Sequence, residues 1–172
     1  MWRWLQLSFA FILMCGLSAG KAAWAAGADD IPDSAFEVGV NWGRTLPHQI
    51  DGVTEILETL GARMGIGLGW PTLELIGNYT QYEDISWVNF SMGVRLDLPF
   101  NGGLVGFAAG LDYHDLNNVG DSGDESTTFL GGHIATEGTV NVGDSLYFFA
   151  RMQMNFEPGT SLNLLFGPIF RF

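Results

Sequence analysis

The sequence is poor in cysteine and in positive charge. It contains one cysteine, Cys15, and seven Lys and Arg residues against 19 Asp and Glu residues, giving a formal net charge of −12 over 172 residues. One cysteine excludes a disulfide framework, and the negative charge argues against a nucleic-acid partner, because phosphate binding needs a basic surface. Disorder is also excluded, since 47% of the residues are hydrophobic. The 24 glycines argue against a helix bundle, where each interior glycine costs about 1 kcal/mol.

The N-terminal segment is typical of a secretory signal peptide. Arg3 precedes an uncharged apolar stretch over residues 5–17, and Ala23-Trp24-Ala25 fits a small-x-small cleavage site. We therefore predict a signal peptide over residues 1–25, which contains Cys15; cleavage after Ala28 stays open. A retained membrane helix is disfavoured, because the apolar run is shorter than the ~18–20 residues of a span. Of the seven basic residues, the five that follow this segment are all arginine.

After an acidic lead over residues 26–34, apolar residues alternate with polar residues or glycine, which is the pattern of two-faced β-strands. Eight segments of this kind are found: 36–43, 60–68, 73–80, 88–98, 105–114, 130–142, 147–156 and 162–172. Short turns at 69–72, 99–103 and 142–145 alternate with longer connections such as 45–56 and 115–126. Strand number, strand length and this asymmetry predict an all-β fold over residues 35–172, an eight-stranded antiparallel up-and-down transmembrane β-barrel.

Two features depart from the strand pattern. Val53, Ile56, Leu57 and Leu60 have helical spacing, so this stretch is either a short helix in the first long loop or an extension of the second strand. Pro168 lies inside the last strand and lacks an N–H donor. We expect a bulge or a weak seam at that position.

The two faces of the strands differ in a way that favours a membrane barrel over a soluble one. One face is apolar and aromatic, whereas the other combines glycine with four arginines and five acids: Glu37, Arg63, Glu74, Arg95, Asp97, Asp112, Glu137, Arg151 and Arg171. An eight-stranded barrel has an interior just wide enough for side chains, and charges buried there must be paired. We predict that these nine residues form a salt-bridged polar lumen. A soluble β-sandwich is the alternative.

The chain ends on an aromatic residue, Phe172, which shares its parity with Phe166 and Phe170. The leader, the eight alternating segments and this terminus together resemble the small outer-membrane β-barrel families of Gram-negative bacteria, of the OmpA, OmpX and OmpW kind. The resemblance implies location in the cell outer membrane, contact with lipid and lipopolysaccharide, and recognition of the C-terminal strand by the barrel-assembly machinery. It also implies a non-enzymatic structural or surface-interaction role, as a monomer.

Two other functions stay open. One is a conduit for small solutes or hydrophobic compounds, similar to the OmpW group. The other is a lipid A-modifying hydrolase similar to the PagL type, but the corresponding strand, residues 151–155, has neither the His nor the Ser of that family's motif. We therefore predict no enzyme activity.

Other polar residues suggest no chemistry of their own. His48, His114 and His133 have no metal-ligand spacing. We expect His114 to be a hydrogen-bonding residue and His133 to pair with Glu137. The acidic loop 115–126 resembles no defined calcium loop, and no cofactor or metal site is expected; whether its acids share bridging divalent cations at a lipopolysaccharide surface stays open. Aromatic residues near the strand ends are expected to form an interfacial girdle: Trp42, Tyr79, Trp87, Tyr113, Phe148 and Phe156.

Overall fold

The computed structural model describes residues 36–48, 56–68, 71–82, 85–100, 102–117, 126–156 and 160–172. They form eight strands: β1 (Phe36–His48), β2 (Leu57–Gly67), β3 (Pro71–Tyr82), β4 (Ile85–Phe100), β5 (Gly103–Asn117), β6 (Ser126–Asn141), β7 (Leu146–Asn155) and β8 (Thr160–Arg171). Each predicted segment overlaps one strand, so the predicted fold class is confirmed. The predicted signal peptide, N-terminal lead and most of the acidic loop lie outside the described residues.

The strands close into one antiparallel barrel. Each strand pairs with its sequence neighbours, and β1 also pairs with β8. Following the paired residues around the wall from Glu37 leads back to β1 at Pro47, a stagger of ten residues. Such a stagger means that the strands are tilted against the barrel axis. Among the described residues, no helix is long and apolar enough to cross a bilayer.

The two ends of the barrel differ in their connections. At the turn end, where β1 begins and β8 ends, short connections join β2 to β3, β4 to β5 and β6 to β7. The tightest is the β4–β5 turn, residues 101–102, where Gly102 has a φ of 87°, a conformation that glycine adopts without steric cost. At the loop end, the β3–β4 and β7–β8 connections are also short, at residues 83–84 and 156–159, and the β1–β2 and β5–β6 connections are longer, at residues 49–56 and 118–125. Because β1, β2, β5 and β6 all extend further than predicted, these loops are shorter than expected.

The ambiguous stretch before the second strand extends that strand. Leu57 pairs with Thr45 of β1, and Leu60 pairs with both Trp42 and Tyr79. Leu57 is 1% exposed and Leu60 is 64% exposed, so the two side chains point to opposite faces of the wall. The helical alternative is therefore wrong for these residues, because the neighbouring strands supply ladder partners for their main chain. Val53 lies outside the described residues.

Pro168 marks an interruption in the seam between β1 and β8. The ladder runs through the Gly39–Ile169 pair and resumes at the Trp42–Phe166 pair. Each strand contributes two residues to the gap, so the register is the same on both sides. The ladder is interrupted there, as expected of a weak seam. The expected bulge is wrong, because the proline removes a donor without adding a residue.

Glycines let the main chains of the seam approach closely. A Cβ added to Gly43 would fall on the carbonyl oxygen of Leu164, and one added to Gly167 would fall on the carbonyl oxygen of Val40.

We expect Gly43→Ala and Gly167→Ala each to destabilise the barrel by about 1–3 kcal/mol through overpacking. The measurement is the urea midpoint of the folded barrel in lipid vesicles. Gly138→Ala is the matched control, since its Cβ meets nothing within 4 Å; equal midpoints for all three variants would contradict the argument.

Candidate functional site: the ion-paired lumen

All nine charged residues predicted to line the lumen lie inside the barrel, and none is more than 8% exposed. The period-two geometry of strands explains this placement, because every second side chain of a strand points inward. Eight of the nine form one connected network of four arginines and four acids: Glu37, Arg63, Glu74, Arg95, Asp97, Glu137, Arg151 and Arg171. The network is formally neutral and lies toward the turn end, where β1 begins and β8 ends.

Arg95 is the most buried member of the network, with 0% exposure. Its Nη1 and Nη2 atoms donate to the two carboxylate oxygens of Glu37 at 2.8 and 3.0 Å. Its Nε and Nη2 atoms donate to the two oxygens of Asp97 at 2.8 and 2.9 Å. Arg95 therefore holds two carboxylates in bidentate geometry, the strongest form of arginine–carboxylate contact.

The other arginines connect the opposite walls of the barrel. Arg151 donates to both oxygens of Glu74, at 2.7 and 3.0 Å, from the other side of the lumen. Arg63 donates to Glu137 and, at 3.2 Å, to Glu37. The Arg151–Glu74 and Arg63–Glu137 pairs cross the lumen with charge-assisted hydrogen bonds. Glu37, Glu74 and Glu137 are each shared between arginines.

Aromatic rings complete the surroundings of two arginines. The guanidinium of Arg63 lies 4.7 Å from the ring centroid of Phe149, and that of Arg171 lies 4.8 Å from the ring of Tyr147. These distances are within the range of cation–π contacts. Arg171 also reaches Glu37 at 3.2 Å.

Two lumen-facing glycines provide the space for these charges. A Cβ at Gly65 would fall 2.6 Å from the Cγ atom of Glu37, and one at Gly106 would fall 2.9 Å from the Cδ atom of Arg95. Any larger residue at these positions would displace the charged side chains. The glycine-rich inner face is thus a requirement of a narrow lumen filled with long polar side chains.

Asp112 stands apart from the arginine network. Its Oδ1 atom lies 2.9 Å from Nδ1 of His133, so the expected pairing of His133 with Glu137 is wrong. His133 and Glu137 are four residues apart in β6, a separation of about 13 Å along a strand. The histidine instead meets the carboxylate of the neighbouring strand β5.

The loop end of the lumen is lined by neutral hydrogen-bonding groups. His114 is fully buried, and its Nδ1 accepts a hydrogen bond of 3.1 Å from Nε1 of Trp87. Because the indole nitrogen only donates, this bond places the proton of a neutral His114 on Nε2. Asparagine, threonine, serine and glutamine side chains continue this layer in hydrogen-bonded chains: Asn41–Asn78–Asn89, Thr45–Thr59–Thr80 and Gln153–Asn155–Ser161.

Some lumen residues carry no clear signal in the sequence. Tyr147, Phe149, Leu165 and Ile169 form a buried apolar cluster on the β7–β8 wall. Tyr147 and Phe149 share the parity of Arg151, so alternation places them on the inner face, whereas Leu165 and Ile169 lie among apolar neighbours that hide the alternation. Only the parity shared with Asn163 and Arg171 would have assigned Leu165 and Ile169 to the inner face.

Five of the six residues predicted to form an aromatic girdle lie on the outer face, and their position at a membrane interface stays a prediction. Trp87 is 3% exposed and faces the lumen, so its assignment to the girdle is wrong; its partner His114 lies on the inner face of β5. The other five are at least 40% exposed on the outer face: Trp42, Tyr79, Tyr113, Phe148 and Phe156.

The C-terminal aromatic residues Phe166, Phe170 and Phe172 are exposed on the outer face. The main chain of Phe172 also closes the barrel, since its N–H donates to the carbonyl oxygen of Phe36 at 2.9 Å. The role of these residues as an assembly signal stays a prediction.

In the described part of the chain, no group of three His, Cys, Asp or Glu side chains has a geometry that would hold a metal ion.

Comparison with known proteins relates the chain to others through its structure. No family model matches the sequence, and no curated protein matches it. The N-terminal β-barrel domain of Pseudomonas aeruginosa OprF superimposes with a TM-score of 0.63 at 12% identity, over 79% of this chain and 97% of that one. Neisserial surface protein A gives 0.62 at 13% identity, over 81% and 98%.

A third structure, Ail, the attachment invasion locus protein of Yersinia pestis, gives a TM-score of 0.55 at 10% identity, over 80% of this chain and 96% of that one. This is the fold of the small outer-membrane β-barrels. At these identities the likeness concerns the fold alone.

Arg95 offers a direct test of the network. Arg95→Met leaves Asp97 without its bidentate partner and removes two hydrogen bonds from Glu37 in a buried site. We expect destabilisation of about 3–5 kcal/mol, measured as the shift of the urea midpoint in vesicles. Arg44→Met, at an exposed position on the outer face, is the control and should stay within about 0.5 kcal/mol of wild type. Adding Glu37→Gln should recover part of the loss, whereas further destabilisation would count against pairing.

The opposite orientations of Trp42 and Trp87 give a second test. In variants that retain one of the two as the only tryptophan outside the leader, brominated acyl chains in the vesicles should quench most of the Trp42 emission and little of the Trp87 emission. Bromine quenches at short range, and Trp87 is separated from lipid by the barrel wall. Equal quenching of the two variants would contradict the inward orientation of Trp87.

Proposed function

We propose that this chain is an integral outer-membrane β-barrel protein with a non-enzymatic, structural or surface-interaction role. The observation that carries the proposal is the inverted distribution of residues across the wall. Leu60 and Leu111 on the outer face are 64% and 66% exposed, whereas Arg95 inside is 0% exposed. Water would penalise such an exterior, because soluble monomers rarely expose apolar patches beyond a few hundred Å². A bilayer favours it.

The height of the apolar exterior supports a membrane-spanning arrangement. Along β4, the outward residues from Val88 to Leu98 are all apolar. Ten residue steps of ~3.3 Å give about 33 Å along the strand, or about 23–27 Å of height at the 35–45° tilt of such barrels, against ~25 Å for known membrane bands. Outward charges begin near the loop end, where Arg44 of β1 lies opposite Glu58 of β2 in the strand register.

The placement of the polar residues supports a role other than catalysis. A lipid-modifying hydrolase needs a base and a nucleophile within reach of lipid. His114 and His133 are directed inward and are at most 2% exposed, and the exposed histidine of the described residues is His48 at the loop end of β1. In β7, Arg151 and Gln153 also face the lumen, and both are committed to hydrogen bonds.

The lumen network supports a barrel that is closed to ions. Arginine–carboxylate pairs span the interior from β2 to β6 and from β3 to β7, and opening a water path would separate them. The second candidate, a conduit for small solutes or hydrophobic compounds, is favoured by one feature, the interrupted ladder at Pro168. A lateral route through this seam would bypass the lumen.

The expected partners follow from the same arrangement. The apolar exterior is suited to outer-membrane lipid and lipopolysaccharide, and the exposed C-terminal aromatics Phe170 and Phe172 to recognition by barrel-assembly machinery. We expect a monomer, because the barrel leaves no edge strand unpaired.

Reconstitution tests this function. The folded barrel should insert into liposomes, migrate differently in gels before and after heating, and give no conductance steps in planar bilayers. Arg63→Ala combined with Arg151→Ala, which removes two of the arginines crossing the lumen, should produce conductance if the variant folds. A product that stays soluble in the periplasm would contradict the membrane barrel. Conductance by the wild type would contradict the closed lumen and favour a conduit through it.

A further inference from the structure

The outer face of the barrel contains a groove. Its volume is about 540 Å³, and it is bounded by outward side chains from five consecutive strands, β2 to β6, together with the intervening residues of those strands. Volumes of about 300–1,000 Å³ are typical of small-molecule sites. The groove lies in the middle of the apolar exterior and extends toward the loop end.

The groove exists because two neighbouring outward positions have little or no side chain. Ala62 of β2 pairs with Gly77 of β3, which in turn pairs with Phe90 of β4. The other outward residues near Gly77 in β3 are large, namely Leu75 and Tyr79. A Cβ added at Gly77 would lie 3.3 Å from the ring of Phe90, so a larger side chain there would occupy the floor of the groove.

The chemistry of the groove is that of hydrocarbon. Met64, Leu75 and Met92 border its side nearer the turn end, and the Tyr113 hydroxyl is the polar outward group at its loop-end side. Methionine side chains are flexible and adapt to an irregular apolar partner. The outward carboxylate of Glu58 lies four residues from Ala62 toward the loop end, outside the lining. An occupant must therefore be apolar and slender, and it must enter the groove from the membrane side.

We propose that this groove binds one acyl chain of a membrane lipid, lying across Ala62 and Gly77. The inference rests on the proposed function, because lipid covers this face when the barrel spans a membrane. A second copy of the barrel fits less well, since its outer face is convex and would bridge the groove without reaching the floor. The surrounding lipid is equally apolar, so binding comes from close packing in the groove.

Native mass spectrometry tests the site. The full folded barrel, purified in detergent, is mixed with dimyristoylphosphatidylglycerol, and lipids retained after release from the micelle are counted. We expect wild type to retain one lipid and Gly77→Leu to lower its occupancy about tenfold, through the loss of ~10 carbon–carbon contacts. Gly138→Leu, on the outer face of β6 where added atoms meet open space, is the control and should retain the lipid. Ala62→Leu replaces Gly77→Leu if that variant does not show heat-modifiable migration.

Each outcome is decisive. Loss of the lipid only in the variants of the groove supports the site. Equal retention by all variants, or retention by none, overturns it, because contact with lipid is then unspecific. A wild-type dimer that Gly77→Leu converts to a monomer also overturns it, in favour of a second copy in the groove. Failure of the wild type to enter liposomes would instead remove the proposed function; insertion with unchanged lipid retention would remove only this inference.

Discussion

The fold depends on one constraint, the neutralisation of charge inside a lumen only as wide as its side chains. Four arginines and four carboxylates share this space, and Arg95 has no exposure to water. Losing one partner leaves others buried and uncompensated, at a cost of several kcal/mol. The network therefore couples strands from all parts of the barrel, since Arg151 meets Glu74 and Arg63 meets Glu137 across the lumen.

The same constraint explains the glycines and the loop-end half of the lumen. Gly65 and Gly106 leave room for Glu37 and Arg95, and the seam glycines let β1 and β8 close around them. Toward the loop end, neutral amides and hydroxyls replace the ions, with Asp112 held by His133. The outer face has no charges that must be neutralised in this way. It can therefore be apolar and contain the groove at Gly77.

How far the sequence predicts the structure depends on how clearly each strand alternates. In β4, strict period-two alternation assigned Arg95 and Asp97 to the inner face. Once a strand is recognised, the odd or even position of a residue along it decides the face on which its side chain lies. In β8, the run Leu164-Leu165-Phe166 hides the parity, and the inward residues Leu165 and Ile169 were missed. Trp87 was misplaced for a related reason: tryptophan suits an interface as well as a lumen, and the decision came from His114 on another strand.

By itself, the sequence determined the number of strands, their faces and the set of charged residues that share the interior, because period-two alternation is a local property of each segment. Only the tertiary structure decided which charges pair, that His133 meets Asp112 rather than Glu137, and that the Pro168 gap keeps its register. The His133–Asp112 contact follows from the register of β5 and β6. The pairing of charges across the lumen follows from the closure of the barrel with its ten-residue stagger, which brings together residues far apart in the chain. No local pattern encodes that closure, because it is a property of all eight strands at once.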